Sequence, residues 1–175
     1  LPALHRYRHE SLYLDSARLL TQGPQFFPVS AVFSYFASAA GILTFRSQED
    51  GDSHRLLIGQ VVYKNNGPSA RIAFLAPESS IYSPDLPGLI ERMAAESGER
   101  GAYHLLAEVD EDHDAFEILR KTGFAIYARQ RIWQLTGEPV ENDGDTAWKI
   151  GNSRDVIPVK TCFCNLVPGL VQQVE

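Results

Sequence analysis

The chain has 175 residues, 44% of them apolar, and a net charge of −6. That is enough for one domain with a real core, and too apolar for disorder. No Lys/Arg block exceeds two residues, no apolar run reaches membrane-spanning length, the start does not read as a signal peptide, and Cys162 and Cys164 are the only cysteines, which argues against non-specific nucleic-acid binding, a membrane span and a disulfide framework; a cytoplasmic protein with no nucleic-acid or membrane partner is expected.

In chain order, residues 2–20 read as a helix with Leu4, Tyr7, Ser11 and Leu14 along one face, ended by Gly23-Pro24. A second helix carries Val32, Phe33, Phe36 and Ala40, with Ser30 as N-cap and Gly41 as stop. The period then changes to that of strands. "GILTFRS" (41–47), "LLIGQVVY" (56–63) and "ARIAFLA" (70–76) are separated by turn-forming "QEDGDS" and "KNNGPS", which predicts an antiparallel meander. After Pro77 a loop leads to a helix over 86–97, with Leu89, Ile90, Met93 and Ala94 inward and Gly98 and Gly101 closing it. "YHLLAEV" (103–109) reads as a strand with Leu105, Ala107 and Val109 on one side, 115–122 as a helix, and 124–135 as extended chain. Residues 136–147 are an acidic linker. In the tail, 148–175, Val156, Val159, Phe163, Leu166, Leu170 and Val174 recur at helical spacing, Asp155 is the expected cap, and Pro168-Gly169 should break the helix. So short a segment cannot bury that face alone, so the tail is expected to dock on its own domain, a second domain or a second copy.

The acids of "AEVDEDHDAFEILRKTGF" (107–124) invite a calcium reading, because Asp110, Asp112 and Asp114 alternate. A calcium loop needs Gly at its sixth position and Glu at its twelfth, and here these are Ala115 and Lys121. Asp114 followed by Glu117 fits a capping box instead, with Gly123 as the left-handed stop. His5 and His9 are four apart but have no third ligand, so no metal site is expected. Cys162 and Cys164 read as buried thiols of the apolar tail. His104 and His113 read either as bases near a cleft or as boundary and surface residues.

Taken together, Val109, Ala115, Gly123 and Phe124, the strand "LLIGQVV", the strand "ARIAFLAPE" ending in Pro, and the opening "LPAL" resemble the GNAT family of acyl-CoA N-acyltransferases over residues 1–135. The tail's "WKIGNSRDVIPV" resembles the start of a second such domain. The resemblance implies an α+β fold, a GNAT-like mixed, mostly antiparallel sheet flanked by helices. It implies acetyl-CoA as donor, lying where the fourth and fifth strands splay apart, and a small-molecule or peptide amine as acceptor. Phe74, Leu75 and Ala76 would be the strand that pairs with pantetheine, and Asp112, at the family's Asn position, a further cofactor contact. Glu78, just after that strand, would be a base toward the amine, or else an exposed loop carboxylate.

The chain departs from the family in two places. "SIYSPDLPGLIERM" replaces the glycine-rich phosphate loop, and Asp85 is the expected N-cap whose carboxylate would engage the amides a diphosphate needs. The family's general-acid tyrosine falls on Leu119. Tyr127 is assigned as the substitute, with Tyr82 and Tyr103 as alternatives, and each also reads as a packed aromatic. Two functions therefore stand: acyl transfer to an amine, or a non-catalytic domain that supports an active second one.

Overall fold

The computed structural model describes residues 10–22, 41–47, 56–63, 67–133 and 150–174. The expected helix near residues 30–40, His5, His9 and the linker 136–147 lie outside them. The chain divides into two units, Leu1–Ala125 and Ile126–Glu175.

The first unit is α+β, a mixed and mostly antiparallel sheet flanked by helices. The three apolar runs form the expected meander. After β1 (Leu12–Tyr13) and α1 (Ser16–Gln22) come β2 (Ile42–Ser47), β3 (Leu57–Tyr63) and β4 (Ser69–Ala76), in the sheet order β1-β4-β3-β2. A short β5 (His104–Leu106) pairs parallel to the start of β4, with Ser69 opposite His104 and Arg71 opposite Leu106.

A one-residue slip shapes β4. Gln60 pairs with Phe74 but the next residue, Val61, pairs with Ile72, so Ala73 is the extra residue of a bulge. Side chains alternate across a strand, and an inserted residue resets the alternation. Ile72 and Leu75, three apart, consequently share one core with Leu57 and Val61, while Ala73, Phe74 and Ala76 join Ile58 in a second cluster.

The first core is covered by α2 (Leu86–Glu99), through Leu86, Leu89, Ile90 and Met93. Ala94, expected inward, is exposed, and Gly98 is still helical; the chain leaves the helix at Arg100 and turns at Gly101, φ +90°. Gly59 on β3 lets α2 approach, because a Cβ there would collide with Met93 Cε. Leu119 of α3 (Asp114–Lys121) completes this core.

Helix 2–20 is not what forms over its described part. Leu12 and Tyr13 are a strand, and helix begins only at Ser16. Two local causes are visible. Leu12 and Leu14 pack on the first core while Tyr13 packs on the second, the alternation of a strand. Asp15 Oδ1 accepts the Arg18 N–H at 3.1 Å, a cap that starts the helix after it. The strand over 103–109 is likewise shorter than expected, although Leu105, Ala107 and Val109 do all pack on the first core. Residues 124–133 form no strand; Phe124 packs on the core after Gly123, whose φ of +107° is the expected left-handed stop.

The second unit holds α4 (Val156–Leu166) and α5 (Gly169–Val174), separated where Pro168-Gly169 predicts a break. Asp155 stands at the N-cap, but its carboxylate accepts the Asn152 N–H at 2.8 Å instead of a helix amide. No residue of α4 is buried, and Cys162 and Cys164 are exposed, contrary to the reading of buried thiols. Among the described residues no helix is long and apolar enough to cross a membrane.

Candidate functional site

β4 and β5 part company early. Their pairing ends at Arg71 and Leu106, while β4 runs on to Ala76. The bulge at Ala73 follows two residues after the pairing ends. The resulting gap is where the family resemblance places pantetheine, and here the protein's own chain lies in it. Leu12 pairs with Leu75 and Tyr13 with Phe74; the Leu14 N–H donates to Ala73 O at 3.0 Å, and the Glu108 N–H donates to Leu14 O at 2.9 Å. Residues 12–14 thus bridge the two diverging strands. Phe74, Leu75 and Ala76 are buried, and Ala76 pairs with Ile58 of β3.

A carboxylate fastens this segment. Glu108 Oε2 accepts the Ser16 N–H at 2.9 Å and the Ser16 hydroxyl, while Oε1 takes Arg71 Nη1 at 2.9 Å. One side chain therefore ties the start of α1 to β4. Nothing in the spacing of Ser16, Arg71 and Glu108 predicts this meeting.

At the far end of β4 lies an open cleft of about 600 Å³. Pro77 follows the strand through a cis bond, and a 3-10 turn over Glu78–Tyr82 forms one wall. The loop before α3 forms the other, with Asp112, His113 and Asp114; Glu10 also lines it. Two pairs cross the cleft. His113 Nε2 meets Glu78 Oε1 at 2.9 Å, and the Tyr82 hydroxyl donates to Asp114 Oδ2. That bond to Asp114 holds the Tyr82 phenol above its ordinary pKa, with the Asp114 and Glu78 charges adding to the effect.

Glu78 is therefore placed beside a histidine that sequence reasoning named only as one of two alternatives. Asp112 lines the same cleft, its N–H bonded to Asp110 Oδ1 at 3.1 Å. Of the three tyrosines, Tyr82 reaches the cleft, Tyr103 is 84% exposed, and Tyr127 belongs to the second unit. Leu119 is 4% exposed and packs within the core.

Two expected caps are corrected. Asp85 makes no side-chain cap bond. A capping residue needs extended backbone, and Asp85 is already helical, with φ −82° and ψ −12°. Ser83 takes the load, its Oγ accepting the Asp85 N–H and its carbonyl the Leu86 N–H. The carboxylate thus leaves α2's amides to other partners, contrary to the sequence expectation. In α3 the cap is His113, with ψ 139°, whose Nδ1 accepts the Ala115 N–H at 3.1 Å; Asp114 is the first helical residue.

No family model matches the chain, and no curated protein matches it. The crystal structure of an acetyltransferase from Trypanosoma brucei is similar at 20% identity and a TM-score of 0.45, over 72% of this chain and 99% of that one.

Proposed function

We propose that this chain carries an acyl-CoA-dependent N-acyltransferase domain of the GNAT type, and that the cleft at the end of β4 receives the acceptor amine. The observation that supports this most is the Glu78–His113 pair, 2.9 Å apart, at the end of the strand that splays from its neighbour. A cationic amine must lose one proton before its nitrogen can attack, which a carboxylate held at the mouth of the cleft is suited to take, and a second as the amide forms, which the departing thiolate can take. Glu10, Asp112 and Asp114 add negative potential, and among the described residues no Lys or Arg lines the cleft. A cationic amine, from a small molecule or a peptide, is the acceptor this chemistry favours.

The donor, when bound, supplies a thioester whose C–S bond breaks as the new C–N bond forms. Its fit is conditional. Residues 12–14 occupy the β4 edge that pantetheine would use, so the segment must leave for a donor to pair there. That same observation, together with the missing glycine-rich loop, favours a second reading, in which the domain is non-catalytic and supports an active domain elsewhere.

Isothermal calorimetry with acetyl-CoA on the chain separates the two. Micromolar binding, with acetyl transfer to polyamines that is lost in Glu78→Gln, is expected. No heat at millimolar donor overturns the transferase reading in favour of the second.

A further inference from the structure

His113 is an unusual choice of cap. Asn, Asp, Ser and Thr are the preferred N-cap residues, and any of them would serve the Ala115 amide. None is long enough to cap the helix and also extend a donor to Glu78. The ring does both. Its Nδ1 accepts an N–H at 3.1 Å, so Nδ1 carries a lone pair and no hydrogen. A neutral imidazole then bears its hydrogen on Nε2, the atom that faces Glu78 Oε1 at 2.9 Å.

Resting on the reading of Glu78 as proton acceptor, we propose that His113 is a positioning residue: capping α3 through Nδ1 fixes the tautomer whose Nε2–H orients the Glu78 carboxylate and leaves its second oxygen for the amine. The carboxylate itself is about half exposed, at 49%, so packing alone does not hold it. An exposed carboxylate samples several rotamers, and one directed hydrogen bond from a ring fixed by a helix narrows that choice. The role is geometric and calls for no net charge on the ring.

Two substitutions divide the functions of the ring. His113→Asn keeps an acceptor where Nδ1 stood but cannot reach Glu78. His113→Gln places an amide donor near the position of Nε2 but surrenders the cap. The thermal midpoint of His113→Asn is expected to match the unaltered protein, with kcat lower by tenfold to about a hundredfold and KM for the amine little changed. His113→Gln is expected to lower the midpoint and to recover part of the kcat that His113→Asn loses, because a donor returns without the ring that the helix fixes. Equal loss of kcat in both variants overturns the positioning role. Nitrogen-15 NMR of the ring supplies a readout besides activity: an unprotonated Nδ1, a protonated Nε2, and a nuclear Overhauser contact between His113 Hε1 and the Glu78 methylene are expected. A protonated Nδ1, or absence of that contact, overturns the proposal whether or not acyl transfer is found. Failure of transfer in the unaltered protein with the NMR result intact counts against the proposed function alone.

Discussion

Replacing Glu108 with Ala tests whether one carboxylate holds residues 12–16 between the diverging strands. Glu108 accepts the first amide of α1 and the Ser16 hydroxyl on one oxygen and Arg71 on the other. The helix-terminal contact resembles a cap and is worth about 1 kcal/mol, while hydrogen bonds to an ionised acceptor reach about 1.5–3 kcal/mol. The Arg71 contact is weaker, because the side chains are 28% and 21% exposed, and adds no more than about 1 kcal/mol. Glu108→Ala should therefore cost about 2–3 kcal/mol. With a urea dependence of about 2 kcal/mol per molar, the midpoint falls by about 1 M. Arg71→Ala should cost less than half as much, because it leaves the Ser16 contacts in place. Amide exchange at Ser16 and Leu14 should quicken in Glu108→Ala while exchange in β2 changes only with global stability. A loss below about 0.5 kcal/mol, with Ser16 still protected, would refute the reasoning, since surface changes of no consequence fall within that range. A rise in acetyl-CoA affinity in this variant would link the clamp to the donor edge.

The Tyr82 phenol should titrate above 10.0, because its hydrogen bond to Asp114 exists only while it is protonated. The stabilisation is present below the ordinary tyrosine value and disappears as pH rises through the elevated one. Asp114→Asn should bring the titration back toward 10.0, followed by phenolate absorbance, and an unchanged curve would count against the bond. Gly59→Ala puts a Cβ against Met93 Cε, the end of a flexible side chain that can move aside, and should cost no more than about 1 kcal/mol in a denaturant melt. A cost of about 3 kcal/mol there would mean that Met93 has no room to move aside.

The meander, α2 and α3 were legible in the sequence because each is specified locally. β2, β3 and β4 lie where alternating and continuous apolar runs end in turn residues, and Gly123 stops α3 where a left-handed residue is needed. The break before α5 follows from Pro168, whose ring has no N–H to donate, while Gly169 already begins the next helix. Glu78, read as the residue at the end of the fourth strand, does line the cleft.

What the sequence by itself determined, then, is the alternation and punctuation of the elements. Tertiary structure decided the rest, because the deciding contacts join residues far apart in the chain. Leu12 and Tyr13 fit either a helix or a strand by spacing, and only the open edge of β4 selects the strand. Asp85 and Asp114 have the chemistry of caps, but backbone angles set by the preceding loops assign those roles to Ser83 and His113. Glu78 and His113 are thirty-five positions apart, and Ser16 and Glu108 ninety-two. No local pattern records such a distance; the sheet closes it when β4 and β5 pair at one end and part at the other.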